Sequence, residues 1–131
     1  MYRWVDHTAE FELSIDAAGE AEVFADALSA LAELLGPAAP TGVERRELAV
    51  NAPDRPALLA AWLEELVFMS ESEGFVATAV ESFELVRETA VRAVVTGVTG
   101  EPPPLVKAVT YHRLAFEAAG GRYLANVVLD V

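Results

Sequence analysis

The chain has 131 residues, of which 53% are hydrophobic, and it contains no cysteine. It carries 21 acidic and nine basic side chains, which give a formal net charge of −12 at pH 7. This length and composition predict a single domain over residues 1–131 with a real hydrophobic core. The absence of cysteine excludes disulfides, thiolate catalysis and cysteine-bound metals, and it agrees with a reducing cytoplasm.

The net negative charge argues against strong direct binding of nucleic acid, because such binding depends on phosphate neutralisation by lysine and arginine. The longest apolar run, residues 57–63, is too short to span a bilayer. The first ten residues lack the apolar core of a signal peptide. We therefore expect a cytoplasmic protein that does not insert into membranes. Its acidity serves solubility or favours cations and basic protein surfaces.

The first half of the chain predicts two strands and two helices. Residues 10–16 alternate apolar and polar side chains, which is typical of a half-buried strand. Residues 20–36 carry apolar side chains at helical spacing, and a Gly-Pro pair then ends the helix. A second strand is predicted at 43–51. Asp54 is a good N-cap for a second helix, which ends near residues 70–74.

The second half of the chain predicts four strands. Residues 80–88 and 89–98 form two strands that meet at a turn, and the proline-rich segment 100–106 forms a loop. Residues 111–131 form two further strands around Gly120–Gly121, a hairpin signal. This order predicts an α+β fold, in which two main helices pack on a mixed, largely antiparallel β-sheet.

Residues 6–10, Asp-His-Thr-Ala-Glu, are the first candidate for a functional site. They place two carboxylates, an imidazole and a hydroxyl at the entry to the first predicted strand. Hard cations such as Ca²⁺ and Mg²⁺ bind such oxygen donors, and the alternation places Glu10 on the face opposite Phe11. A turn capped by Asp6 or Thr8, with an ordinary surface histidine, fits the same residues.

The end of the chain is the second candidate. Asp130 and the terminal carboxylate of Val131 lie on adjacent residues. The alternation of residues 123–129 predicts a final strand docked in the core, which would hold these two anionic groups in place. A solvated chain end without function fits equally well.

Lys107 is the third candidate, because it is the only lysine of the chain, against eight arginines. It follows the proline-rich loop and precedes Thr-Tyr-His. Lysine offers a compact ammonium whose pKa shifts readily, and arginine does not replace it. A chemical role and an accident of composition both remain open from composition alone.

Patterns of common enzymes are absent from the sequence. Its glycines are not followed by the lysine and hydroxyl of a phosphate-binding loop, and no nucleophile elbow is present. The two histidines are about a hundred residues apart and give no zinc signature. The residues therefore do not support an ordinary hydrolase.

Four segments together resemble the archease family. They are "YRWVDHTAEFELSIDA", "LLAAWLEELVFMSESEGFV", "VKAVTYHRLAFE" and the terminal "VVLDV". The similarity runs in order from Tyr2 to Val131, and the first and the last two segments are its specific part. The resemblance implies an archease-like fold for the whole chain.

The resemblance also implies a function. Archeases are accessory proteins of the RtcB-type tRNA-splicing RNA ligase. They promote guanylylation of the ligase and its multiple turnover in RNA ligation, and they broaden the nucleotides that the ligase uses. The chain is thus expected to be a protein activator of a ligase and not an enzyme itself.

The resemblance further implies a site for a divalent cation, calcium first, with magnesium or manganese as alternatives. Its ligands would be Glu10, Asp130 and Val131, with Asp6 as an additional ligand. The family usually has aspartate where this chain has Glu10, and calcium tolerates the longer side chain better than magnesium does. Roles in ligase activation are implied for Lys107, Asp6 and His7.

Two rival interpretations remain at this point. One is a metal-dependent hydrolase that uses Asp6, His7, Glu10 and Asp130, which would need an open cleft around these residues. The other is a chaperone-like protein-binding module, which would need a sizeable exposed apolar patch.

Overall fold

The computed structural model describes residues 1–7, 10–36, 40–100, 106 and 108–131. The predictions for Thr8, Pro37, Lys107 and most of the loop 100–106 lie outside these residues. Within the described residues, nine elements follow one another: β1 (Tyr2–His7), β2 (Glu10–Ala17), α1 (Glu20–Leu35), β3 (Pro40–Asn51), α2 (Arg55–Glu73), β4 (Phe75–Val86), β5 (Ala90–Gly100), β6 (Ala108–Ala119) and β7 (Arg122–Asp130).

The strands form two antiparallel sheets. The larger one has the order β1-β2-β7-β6, and the smaller one has the order β3-β5-β4. The predicted α+β fold with antiparallel strands and two main helices is confirmed. The structure adds the strand β1, which the sequence did not predict, and it divides the strands between two sheets.

The second helix is held at both ends by the expected devices. The side chain of Asp54 accepts a hydrogen bond from the backbone N–H of Ala57, at 2.9 Å, and a proline occupies the first turn. Gly74 follows the last turn with φ of 65°, a left-handed conformation that glycine adopts without steric cost. The predicted N-cap and the predicted end of α2 are both confirmed.

The core lies where the two helices contact both sheets. Phe24 of α1 and Trp62 of α2 are fully buried there, and their rings meet edge to face with centroids 5.8 Å apart. Trp62 Nε1 donates a hydrogen bond to the carbonyl of Phe24 at 3.0 Å, so its polar group is satisfied inside the core. The rings of Phe83 and Phe116 also pack against Phe24, which links one strand of each sheet to α1.

The β6–β7 hairpin is the one that the sequence predicts. Gly120 and Gly121 have φ of 58° and 80°, and the flanking residues Ala119 and Arg122 are paired. Two consecutive positive φ angles suit a tight two-residue turn, and glycine supplies them. The hairpin brings β6 and β7 side by side, and β7 then pairs with β2 through its other edge.

Tyr2 gives the fold a pH dependence in the alkaline range. Its hydroxyl donates to Glu33 Oε2 at 2.5 Å, and this hydrogen bond, followed by burial, raises the pKa of Tyr2 to about 12. The folded protein thus holds the phenolic proton more tightly than the unfolded chain does, whose pKa is about 10. We expect this stabilisation to be complete below about pH 10 and to be lost as the pH rises through about 12.

Urea unfolding between pH 9 and 12 checks this expectation. The wild type should lose stability more steeply above pH 10 than the Tyr2→Phe variant, which has no proton to release at that position. If the stability of the two proteins fell equally steeply with pH, the stabilising role of the hydrogen bond from Tyr2 of β1 to Glu33 of α1 would be contradicted.

Candidate functional site

Three of the residues named by the sequence, His7, Glu10 and Asp130, lie in one row across the larger sheet. Glu10 of β2 pairs directly with Asp130 of β7. On the outer strands of the sheet, His7 of β1 pairs with Glu10, and Ala108 of β6 pairs with Asp130. His7 and Glu10, which precede Asp130 by more than a hundred residues in the chain, thus come together with it at one end of the sheet.

The alternation of β2 and β7 decides which face of the sheet carries these carboxylates. Leu13 and Ile15 are buried against the helices, and so are Val127 and Leu129. Glu10 lies an odd number of positions from each of the two β2 residues, so it projects from the outer face, as the sequence predicted. Residues directly opposite in an antiparallel pair have Cα atoms about 4.5–5.5 Å apart, and their side chains share a face. Glu10 and Asp130 are therefore close neighbours on the outer face.

The end of the chain is held in place. β7 runs to Asp130 as a central strand of its sheet, and Val131 packs against the hydrophobic core. Central strands with apolar packing on one side do not fray as free termini do. The prediction that the last strand is docked is confirmed. The backbone that carries the Asp130 carboxylate is therefore held in place.

Asp6 lies on the other face of the sheet from Glu10. It pairs with Phe11, the neighbour of Glu10 in β2, and successive residues of a strand project to opposite sides. Asp6 lines a cavity of about 260 Å³ with Trp4, Phe11 and two residues of α1. The backbone register thus separates Asp6 from the outer face that carries Glu10 and Asp130.

Arg113, a basic residue that was not predicted from the sequence, lies beside the carboxylate of Glu10. The guanidinium of Arg113 lies 4.0 Å from Glu10 Oε1 and 3.8 Å from Glu12 Oε2. Asn126 Nδ2 donates to Glu12 Oε2 at 2.8 Å and to the carbonyl of Arg113 at 3.1 Å. The hydroxyl of Ser14 donates to Asn126 Oδ1 at 3.1 Å. One polar network therefore joins β2, β7 and β6 on the outer face.

Arg113 reaches this network because β6 bulges. Thr110 pairs with Val128 and Ala115 pairs with Asn126, so four residues of β6 lie opposite the single residue Val127. Arg113 has φ of 58°, which is uncommon for a side-chain-bearing residue and costs of order 1 kcal/mol or more. The surrounding contacts hold this strained conformation at the site itself.

The donor chemistry of the row fits a hard cation. Glu10 and Asp130 offer carboxylate oxygens on one face, and the carboxylate of Val131 follows directly. On the same face, the buried hydroxyl of Thr110 has no hydrogen-bond partner among the described residues. In the part of the chain that the structure describes, no three His, Cys, Asp or Glu side chains form a group that could hold a metal. A cation there would thus need Val131, Thr110 or water to complete its shell.

The third candidate, Lys107, can be placed only by its neighbours in the chain. Lys107 lies outside the described residues. Val106 before it is buried, and Ala108 after it pairs with Asp130. His112 lies in the bulge of β6 and is exposed.

Sequence reasoning found Glu10 and Asp130 but missed Glu12, Asn126 and Arg113. A signal existed for Glu12, because the period of two places it on the same face as Glu10. For Arg113 no signal existed, since the bulge that turns its side chain toward β2 has no glycine to mark it.

The sequence matches the model of the archease protein family over residues 2–131. The protein archease of Methanopyrus kandleri is 33% identical over 135 residues, which cover 97% of this chain and 96% of that protein. The protein archease of Methanosarcina mazei is 29% identical over 139 residues, which cover 99% of this chain and 95% of that protein.

Two solved structures share the fold. The solution structure of Methanobacterium thermoautotrophicum protein 1598 superposes with a TM-score of 0.75 at 24% identity and covers 99% of this chain and 98% of that one. The crystal structure from Thermotoga maritima, described as an archease, possible chaperone, has a TM-score of 0.71 at 21% identity and covers 100% of this chain and 98% of that one. Both support the fold rather than a particular activity.

Proposed function

Because this chain belongs to the archease family, we propose that it is a protein activator of an RtcB-type tRNA-splicing RNA ligase. It would promote guanylylation of the ligase and multiple turnover in RNA ligation, without being a ligase itself. The observation that carries the proposal is the pairing of Glu10 with Asp130, because it brings the start of β2, the end of β7 and the start of β6 to one end of one sheet.

A divalent cation, with calcium as the first candidate, would be held by Glu10, Asp130 and Val131. When bound, the cation would neutralise the facing carboxylates and present positive charge at this end of the sheet. The side chains of Glu10 and Asp130 would orient it. Lys107 directly precedes Ala108, which pairs with Asp130. Its ammonium would attract a phosphate of the ligase's nucleotide.

The charge of the chain favours a protein partner over RNA. With a net charge of −12, the chain offers RNA little phosphate neutralisation. A basic surface of the ligase, which itself binds RNA, would be attracted to the acidic domain. No helix in the described part of the chain is long and apolar enough to cross a bilayer.

Ligation of a tRNA-half substrate by limiting cognate ligase, with and without this protein, tests the proposal. We expect about one product per ligase molecule without the protein and many with it. Lys107→Ala and Asp130→Ala should each reduce the number of turnovers at least about tenfold, since each removes a charge that the proposal assigns to this end of the sheet. Radiolabelled GTP transfer to the ligase would report guanylylation directly.

Arg45→Gln is the matched control, because this exposed residue pairs with Glu81 on the smaller sheet. It should activate as the wild type does. Absence of stimulation by the wild-type protein would reject the activator function. Stimulation that survives in both Lys107→Ala and Asp130→Ala would instead reject this end of the sheet as the functional site.

The rival functions receive less support from the structure. A hydrolase that uses Asp6 together with Glu10 would need both on one side of the sheet, but they lie on opposite faces. The chaperone-like module has one point in its favour, the description of the Thermotoga maritima structure. Among the described residues, exposed large apolar side chains such as Val43, Phe68 and Tyr111 lie on three different elements. Suppression of aggregation of an unrelated protein would be the test of that alternative.

A further inference from the structure

Arg113 is the feature of the outer face that the family resemblance does not explain. We propose that Arg113 is a built-in counter-ion of the cation site, which neutralises Glu10 and Glu12 in the metal-free protein and competes with a divalent cation for Glu10. This inference rests on the cation site of the proposed function. It adds that a residue of this chain sets the affinity of that site.

The geometry of the ion pairs supports competition rather than permanent closure. The guanidinium of Arg113 stands 4.0 Å from Glu10 and 3.8 Å from Glu12, longer than the 2.7–2.9 Å typical of charge-assisted hydrogen bonds. Its side chain is 45% exposed, and that of Glu10 is 36% exposed. Such a contact is loose and solvated, so an incoming cation can displace it at small cost.

Glu12 differs from Glu10 in this respect. Its side chain is only 15% exposed, and it accepts a hydrogen bond from Asn126 at 2.8 Å. Arg113 can therefore leave Glu10 and still remain close to the anionic Glu12. The network thus offers the guanidinium a second carboxylate, that of Glu12, which an isolated surface ion pair lacks.

The backbone of Arg113 is held by a hydrogen bond, while its side chain is partly exposed and makes only long contacts. Asn126 Nδ2 donates to the Arg113 carbonyl at 3.1 Å, which holds the left-handed residue in the bulge. Strained backbone conformations persist where neighbouring contacts over-determine them, and they cluster at functional sites. The pinned backbone keeps the guanidinium within reach of the carboxylate row.

Isothermal titration calorimetry with CaCl₂ at fixed ionic strength tests the competition. We expect Arg113→Gln to bind Ca²⁺ about fivefold to tenfold more tightly than the wild type, because a positive charge leaves the vicinity of the cation. Arg113→Lys keeps the charge and should bind within about twofold of the wild type.

Arg122→Gln is the matched control. It also removes one positive charge, but Arg122 pairs with Asp16 at 2.6 Å, and Asp16 lies six positions from Glu10 along β2. Its Ca²⁺ affinity should stay within about twofold of the wild type. An equal gain in Arg113→Gln and Arg122→Gln would reduce the effect to overall charge and overturn the inference.

A second measurement needs no metal. In EDTA, Arg113→Gln should lower the melting temperature, and the loss should be smaller when Glu10→Gln is already present, because the ion pair between Arg113 and Glu10 is then gone. Equal losses in both backgrounds would overturn the counter-ion role.

Unchanged or weaker Ca²⁺ binding by Arg113→Gln, or no Ca²⁺ binding by the wild type, would overturn the competition. None of these readouts uses a ligase, so a failure of ligase activation is distinguished from a failure of this inference.

Discussion

Asp130→Asn is expected to weaken Ca²⁺ binding by about a hundredfold, because it removes one of the two facing carboxylate charges while it keeps the shape of the side chain. The metal-free protein should respond in the opposite direction. Glu10 and Asp130 are like charges directly opposite on neighbouring strands, so the change should stabilise the fold by about 0.5 kcal/mol in EDTA.

Thermal unfolding with and without CaCl₂ measures both effects. Wild-type protein should gain about 2.7 kcal/mol of stability at a Ca²⁺ concentration a hundred times its dissociation constant, and Asp130→Asn should gain little. Asp16→Asn is the matched control. Asp16 lies on the same strand as Glu10, but it is distant from the Glu10–Asp130 pair and forms an ion pair with Arg122 instead. A variant Asp130→Asn that keeps the wild-type gain in CaCl₂ would remove Asp130 from the ligand set.

Gly97→Ala is expected to destabilise the protein by about 3 kcal/mol or more. A Cβ at this position of β5 would lie 2.1 Å from the carbonyl oxygen of Val76 and 2.7 Å from Cα of Ala77. These are backbone atoms of the neighbouring strand β4, which cannot turn aside as the end of a flexible side chain can. The two strands would have to separate at a point where both Val76 and Ala77 are buried.

Urea unfolding followed by circular dichroism gives the free energy of unfolding for this comparison. Gly42→Ala serves as the control in the same sheet, because the nearest described atom to its new Cβ would be Thr99 Oγ1 at 3.7 Å, an ordinary contact. We expect Gly42→Ala to stay within about 0.5 kcal/mol of the wild type. Similar stability of the two variants would show that β4 and β5 are not as close at Gly97 as the structure has them.

Local patterns carried much of the fold. The period of two in β2, the period of helical apolar positions in α1 and α2, the cap at Asp54 and the turn at Gly120–Gly121 are properties of a few consecutive residues, so they can be read before the chain is folded. β1 was missed because "YRWVDH" does not alternate cleanly. Trp4 faces the helix side of the sheet together with the charged Asp6, and Val5 lies on the outer face.

The division of the strands into two sheets could not be read in the same way. A period of two says which residues share a face of one strand, but it does not say which other strand lies beside it. The neighbours are decided when both helices bury their apolar faces against both sheets. The order β1-β2-β7-β6, which joins the two ends of the chain, is a product of that packing.

The same distinction holds for the site. The sequence by itself determined that Glu10 lies on the outer face of its strand and that the last strand is docked, because both follow from the local alternation of apolar and polar residues. Only the tertiary structure decided that Asp130 lies opposite Glu10, that Asp6 lies on the other face, and that a bulge brings Arg113 to the carboxylates. These relations depend on the register between strands that are distant in the chain, and the register is set by the packing of the whole core.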